Sequence, residues 1–142
     1  MTSTAVMRTL SWLHRAGMKV SGGRFGATLV GLPSLELVTV GRKSGKARSS
    51  MLTAPLTLGE TLVVVASAGG NDEHPSWFLN LRDHPQVRVS VGGGPVVDMV
   101  ARVTTPDERQ ELWPRIVAAL PNYAEYQTRT TRVIPVVLLE PV

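Results

Sequence analysis

Residues 51–68, MLTAPLTLGETLVVVASA, decide the fold class of this chain. Two apolar runs, Met51 to Leu58 and Thr61 to Ala68, have the composition of strands, and Gly59-Glu60 between them is typical of a turn. Parallel strands need a crossover of a dozen or more residues, so a connection this short makes the pair antiparallel. The second run is rich in valine, and we expect it to be buried.

Period-two patterns predict further strands on both sides of this hairpin. Val87, Val89 and Val91 alternate with polar residues, and Gly92-Gly93-Gly94-Pro95 then turns the chain into a return strand. Six strands are predicted in all, at 35–40, 51–58, 61–68, 86–91, 96–103 and 133–139. Their short connections favour a small antiparallel barrel with peripheral helices over a doubly wound sheet, which needs regular β-α-β alternation.

Helical patterns surround these strands. Thr105, Pro106 and Glu108 supply a capping box with proline at the first position, and Pro114 is expected to kink or restart the helix that follows. Predicted helices cover 7–20, 75–84, 105 to about 113 or 120, and 123–130.

The N-terminal helix is basic and amphipathic. Arg8, Arg15 and Lys19 share one stripe, opposite an apolar side with Trp12 at its rim. Either a helix docked on the core or a helix resting on an anionic membrane explains this pattern. We divide the chain into residues 1–30, an amphipathic helix and linker, and residues 31–142, the barrel domain.

Composition limits the function classes. The 142 residues suit one domain, and 15 basic against 11 acidic side chains give a net charge of +4, which favours an anionic partner. The absence of cysteine excludes disulfides and thiolate metal sites, and His14, His74 and His84 lack metal-ligand spacing, so no metal is expected. No apolar run spans a membrane and no secretory signal is evident, so the expected location is the cytoplasm.

Three segments carry candidate chemistry. The loop 41–50 combines glycines, hydroxyls and cations, which suits an anion but equally a solvated turn. The small-residue strand end 66–70 precedes Trp77 and Phe78, which either line a pocket or belong to the core. Tyr123 and Tyr126 share a helix face, either for substrate or for packing. Because no catalytic triad or carboxylate pair is evident, an enzyme of this sequence would need a cofactor.

These segments form an ordered series of motifs: Gly-Arg-Lys-Ser-Gly-x-x-Arg from Gly41, Ala-Ser-x-Gly-Gly from Ala66, His-Pro-x-Trp-Phe-Leu-Asn-Leu from His74, Trp113-Pro114, Tyr-x-x-Tyr-Gln-x-Arg-Thr from Tyr123, and Ile-Pro-Val-Val from Ile134. The series resembles the deazaflavin-dependent nitroreductase family of actinobacteria, whose members use coenzyme F420. The resemblance runs from about residue 35 to 142. It implies a split β-barrel related to flavin-nucleotide-binding barrels.

The resemblance also implies a site. Arg42, Lys43, Ser44 and Arg48 match the positions that bind the anionic cofactor tail. The other implied cofactor-binding residues are Ser49, Ser50, Met51, Leu52, Thr53, Val65, Ala66, Ser67, Ala68, Ser76, Trp77, Phe78, Leu79 and Asn80. Tyr123 and Tyr126 match substrate positions, and Tyr126 and Ser67 are the implied catalytic residues. Ala68 departs from relatives that have Lys there, and Thr53 from a nitroimidazole-reducing relative that has Tyr.

The resulting hypothesis is an F420-dependent reductase that passes hydride to a planar quinone-like, nitroaromatic or other conjugated acceptor. A non-catalytic protein that binds or carries deazaflavin or haem is the alternative. Nucleic-acid binding is not expected, because aromatic residues do not interleave with the basic ones. Contact with the inner face of the membrane through residues 7–20 remains open at this point, as does the oligomeric state.

Overall fold

The computed structural model describes residues 32–142, so the helix predicted at 7–20 and residues 1–30 as a unit lie outside the described residues. The described chain forms seven strands and three helices. The strands are β1 (Ser34–Val40), β2 (Ala47–Thr53), β3 (Leu56–Leu58), β4 (Thr61–Val65), β5 (Gln86–Val91), β6 (Val96–Val103) and β7 (Val136–Pro141). The helices are α1 (Ser76–Asp83), α2 (Pro106–Ala119) and α3 (Asn122–Thr128). Over residues 32–142, no helix has both the length and the apolar character that crossing a membrane requires.

The strands form one antiparallel sheet in the order β2-β1-β5-β6-β7-β4-β3. β2 and β3 are the outermost strands of this sheet, yet only Ala54 and Pro55 separate them in the chain. Three Cα-to-Cα steps span at most about 11 Å. The end of β2 and the start of β3 must therefore lie close together, and the sheet curls into a split barrel. This confirms the predicted antiparallel barrel and its hairpins β3-β4 and β5-β6.

The number of strands differs from the prediction of six. The strand predicted at 51–58 is two strands, because Pro55 has no N–H to continue a ladder and the chain changes sheet edge there. β2 also begins at Ala47, inside the segment assigned to the basic loop. β4 ends at Val65 rather than 68, and β7 begins at Val136 rather than 133.

Two apolar clusters hold the barrel together. Leu62 and Val64 of β4 point into the barrel interior, while Val63 and Val65 pack in a second cluster with α2 and α3. β4 is buried on both faces for this reason, as its valine-rich sequence predicts. The interior cluster also receives Trp77, Phe78 and Leu81 of α1, which fixes that helix beside β1 and β2.

The start of α2 is the predicted capping box. Thr105 Oγ1 accepts from the Glu108 backbone N–H at 3.2 Å, and Glu108 Oε1 accepts from the Thr105 N–H at 2.8 Å. Of the two effects expected at Pro114, a kink or a restart, the restart is wrong, since α2 runs through Pro114 to Ala119. Pro114 is exposed on the helix surface, so the backbone bond that it removes is lost on the solvent side.

Candidate functional site

A groove runs along β2. It consists of two adjoining cavities, which share Trp77 as a common wall. The first has a volume of about 360 Å³ and is bounded by the β1–β2 loop and α1. The second has about 320 Å³ and lies between β2, the end of β4 and α3. Trp77 is 9% exposed, which makes it a fixed partition between the two.

Asn80 anchors the basic loop at the first cavity. The residue is 3% exposed, and both its amide oxygen and its amide nitrogen make hydrogen bonds within the protein. Oδ1 accepts from the Arg42 backbone N–H at 3.1 Å and from Arg42 Nη1 at 2.9 Å, and Nδ2 donates to Thr39 Oγ1 at 3.2 Å. A buried amide with satisfied partners orients Arg42 against the cavity.

The loop itself is a tight turn closed by backbone bonds. The Gly41 N–H donates to the Lys46 carbonyl and the Gly45 N–H to the Gly41 carbonyl, each at 2.8 Å. Gly45 has a φ of +73°, which favours glycine. Within residues 32–142, the ion pairs between side chains involve none of Arg42, Lys43 and Arg48. These cations border the first cavity, so their charge is available to an anionic ligand.

The end of β4 forms one wall of the second cavity in an uncommon backbone conformation. Ala68, Gly69 and Gly70 have φ angles of +47°, +64° and +87°. The left-handed region costs an alanine about 1–2 kcal/mol, so tertiary contacts must hold this turn. Gly70 lies against the C-terminal end of α3: a Cβ at this position would lie 2.8 Å from the Tyr126 carbonyl oxygen and 3.0 Å from Arg129 Cβ.

Two tyrosines of α3 face this turn across the second cavity. Tyr123 and Tyr126 pack edge to face with ring centroids 5.9 Å apart. Burial raises the pKa of Tyr123, and the neighbouring Tyr126 adds to that shift, so the Tyr123 phenol stays protonated at neutral pH. Tyr126 Oη accepts a hydrogen bond from Asn122 Nδ2 at 3.1 Å, which leaves its own proton for another acceptor.

Most of the predicted site residues border this groove. The first cavity is bordered by Arg42, Lys43, Ser44, Arg48, Ser49, Ser50, Ser76, Trp77 and Asn80. The second is bordered by Met51, Leu52, Thr53, Val65, Ser67, Ala68, Trp77, Tyr123 and Tyr126. Ala66, Phe78 and Leu79 border neither cavity: Ala66 and Phe78 are buried in the interior cluster and Leu79 packs against it.

Arg132 is a residue that the sequence analysis missed. Its guanidinium donates to the Ser67 carbonyl at 2.9 Å and to the Asn71 carbonyl at 2.8 Å, directly behind the second cavity. Gln127 in turn donates to the Arg132 carbonyl at 2.7 Å. Arg132 lies in a loop without periodicity, where an arginine is expected to be solvated, so no local pattern indicated these contacts.

The chain is similar to known proteins over most of its length. The family model for F420H(2)-dependent quinone reductase matches residues 8–141. A Mycobacterium tuberculosis protein named F420H(2)-dependent quinone reductase is 36% identical over 131 residues, which cover 89% of this chain and 87% of the relative. A solved F420-H2 dependent reductase, FDR-A, has 42% identity and a TM-score of 0.66, over 75% of this chain and 93% of that chain.

A more distant structure shows the fold alone. A pyridoxamine 5′-phosphate oxidase-related, FMN-binding protein from Nostoc punctiforme has a TM-score of 0.59 at 14% identity, over 91% of this chain and 80% of that chain. The fold and the groove thus define a split-barrel protein with a cation-bordered ligand cleft, which confirms the predicted fold class. Within that class, the chain belongs to the F420H(2)-dependent quinone reductase family, and the deazaflavin-dependent family that the motifs predict is confirmed.

The turn at the end of β4 gives a matched pair of substitutions. Both Gly69 and Gly70 have positive φ, but a Cβ at Gly69 would meet nothing within 4 Å. We expect Gly69→Ala to cost about 1 kcal/mol of unfolding free energy, the backbone penalty alone. Gly70→Ala adds the collision with α3, so we expect at least twice that loss in denaturant unfolding. Equal losses would mean that α3 moves freely away from the turn.

Proposed function

We propose that this protein is a reductase that transfers a hydride from reduced coenzyme F420 to a planar quinone-like acceptor bound in the β2 groove. The observation that carries the proposal is the groove's asymmetry. Cations free of side-chain ion pairs within residues 32–142 border one end, and small residues with tyrosine hydroxyls border the other. A cofactor with an anionic tail at one end and a flat ring at the other would match these two ends of the groove. The family to which the chain belongs uses reduced F420, which supports this match.

The chain's own residues divide the work along the groove. In this proposal Arg42, Lys43, Ser44 and Arg48 bind the anionic tail, because guanidinium and ammonium groups make charge-assisted hydrogen bonds to phosphate and carboxylate oxygens. The other lining residues already named, Ser49 to Thr53, Ser76, Trp77 and Asn80 among them, shape the cleft for the ring. When bound, the reduced deazaflavin supplies the hydride.

The acceptor end of the groove needs a group that stabilises negative charge as it develops on a quinone oxygen. Tyr126 meets this requirement, since Asn122 occupies an acceptor position of its oxygen and its own proton can be donated. Ser67, 9% exposed at the second cavity, supplies a further hydroxyl, and the neutral Tyr123 phenol orients the acceptor ring. Positioning and proton donation are the protein's contributions to rate.

Titration of the full chain with F420 and with FMN, followed by turnover of reduced F420 with menadione, tests this function directly. We expect preference for F420 and measurable menadione reduction. F420 binding without turnover of any conjugated acceptor would favour the carrier alternative instead.

Two lysines of one loop offer a matched test of the tail site. Lys43 borders the first cavity and Lys46 does not, although both are exposed in the same turn. We expect Lys43→Ala to weaken F420 binding by about 1–3 kcal/mol, the value of a hydrogen bond to a charged group. Lys46→Ala should stay within twofold of wild type.

The Lys43→Ala loss should also shrink as salt rises, because the contact is exposed. Fluorescence titration of F420 at low and at 0.5 M salt measures both effects. Equal losses in the two variants would assign the effect to the overall charge of the loop rather than to a bound tail.

Tyr126 provides a test of the acceptor end. Tyr126→Phe removes the proton donor and keeps the ring, so we expect kcat with menadione to fall about tenfold or more while F420 affinity changes little. Steady-state kinetics and an F420 titration on the same preparation measure the two quantities. A parallel loss of cofactor affinity would assign Tyr126 to the cofactor cleft, and unchanged kinetics would leave it as a packing residue.

The basic N-terminal segment leads us to propose peripheral contact with anionic membranes, where quinones reside. Each cation near an anionic surface contributes about 1 kcal/mol. The full chain should therefore sediment with anionic vesicles at low salt, and neutralising Arg8, Arg15 and Lys19 to Gln should abolish this. Neutral vesicles are the control. Protein that stays in the supernatant with both vesicle types would contradict the membrane proposal.

A further inference from the structure

The guanidinium of Arg132 binds one short segment from several sides. Nη2 donates to the Ser67 carbonyl at 2.9 Å, and Nη1 and Nη2 both approach the Ala66 carbonyl at 3.3 Å. Nε donates to the Asn71 carbonyl at 2.8 Å, and Nη1 lies 3.0 Å from His74 Nδ1. One side chain thus holds three carbonyl oxygens and an imidazole that are distant from it in sequence.

The segment held by these bonds is the turn with left-handed backbone at Ala68, Gly69 and Gly70. The turn also has contacts of its own: Arg129 Nη1 approaches the Gly69 carbonyl at 3.4 Å, the Gly70 N–H donates to the Ser67 carbonyl at 2.8 Å, and the Asn71 N–H donates to the Ala68 carbonyl at 3.1 Å. A strained conformation persists only where its surroundings over-determine it. Arg132 contributes to that restraint by holding the residues on both sides of the turn, Ala66 and Ser67 before it and Asn71 after it.

Arg132 is also bonded to α3, through its backbone carbonyl. Gln127 Nε2 donates to the Arg132 carbonyl, and Gln127 Oε1 accepts from the Ile134 N–H at 3.0 Å and from Arg109 Nη2 at 3.0 Å. Gln127 belongs to the same helix as Tyr123 and Tyr126. Arg132 therefore connects the two walls of the second cavity, although it borders neither cavity of the groove.

We infer that Arg132 is a positioning residue, which sets the separation between the turn at Ser67 and α3 and thereby the fit of the acceptor between them. His74 is the partner that keeps the Arg132 guanidinium in place. The inference rests on the proposed function and deepens it. Lysine cannot replace arginine here, because a single ammonium cannot donate in a fixed plane to three carbonyls and an imidazole at once.

His74 makes this arrangement sensitive to acid. Its ring centroid lies 4.7 Å from that of Phe78, and Arg132 and Arg82 are the charged groups acting on it. Asp72 lies near Arg132, and Arg109 borders a cavity between α1 and α2, separate from the groove, that His74 and Arg82 also border. Burial first, and then the charges of Arg132 and Arg82, lower the pKa of His74. At pH 7 the imidazole is neutral and Nδ1 can accept. Acidification through the lowered pKa of His74 removes that acceptor and sets two cations 3.0 Å apart.

Arg132→Lys in the full chain tests the inference with two readouts. We expect kcat/KM for menadione to fall tenfold or more, F420 affinity to stay within threefold, and amide hydrogen exchange in residues 66–71 to speed up tenfold or more. Lys43→Ala should show the reverse, a weakened F420 affinity with unchanged exchange in 66–71. Arg115→Lys on the exposed face of α2 should change none of these quantities.

His74→Asn separates positioning from a merely structural role. The Asn Oδ1 offers an acceptor in place of Nδ1 but does not titrate. We expect the ratio of wild-type to His74→Asn kcat/KM, near one at pH 7.5, to fall by threefold or more between pH 7.5 and the lowest pH at which both proteins stay folded. A flat ratio would overturn the role of His74.

Two further outcomes are decisive for Arg132. If wild type reduces menadione and Arg132→Lys does so within twofold, the positioning role is wrong while the proposed function stands. If wild type itself gives no turnover, the proposed function fails. Amide hydrogen exchange in residues 66–71 then tests whether Arg132 holds this segment: unchanged exchange in Arg132→Lys overturns that role, and faster exchange supports it.

Discussion

The two-residue link Ala54-Pro55 is the constraint on which the rest of the structure depends. It joins the two outermost strands of a seven-stranded sheet, so the sheet has to curl until the end of β2 lies close to the start of β3. Curling encloses the interior apolar cluster, and Ala54 itself is fully buried in it. Because β2 pairs only with β1 in the described chain, its other edge is left facing α1, the β4 turn and α3, and the groove forms along that edge.

Polar contacts fix both walls of the groove. Asn80 holds the basic loop from the interior, and Arg132 holds the β4 turn from the opposite side of the second cavity. Both anchors bind backbone or charged groups with well-formed hydrogen bonds, which are strong in a partly dry environment. The lining side chains are consequently left with donors and charges for a ligand. A preorganised cleft of this kind suits hydride transfer, where alignment of donor and acceptor governs the rate.

Charge distribution gives the groove a direction. The cations collect at the β1–β2 loop, and the phenols and the Ser67 hydroxyl collect at the other end, with Trp77 between them. The ion pairs of the described chain lie outside the basic loop: Arg102, for example, binds Glu108 and Glu140 on the outer surface, and the pKa of Glu108 falls to about 2 mainly through its bond to Arg102. Because these ion pairs do not involve Arg42, Lys43 or Arg48, the cations of the basic loop remain available to bind an anion.

The sequence by itself determined the antiparallel barrel, the capping box at Thr105 and the family, because hairpin turns, alternation and motif order are local signals. It also indicated most of the residues that border the groove. Three features were decided by the tertiary structure alone. Pro55 divides one predicted strand into two, which lie at opposite edges of the sheet; Phe78 packs in the core; and Arg132 donates to the Ser67 carbonyl. These outcomes depend on contacts between residues up to 66 positions apart, and such contacts leave no trace in local periodicity.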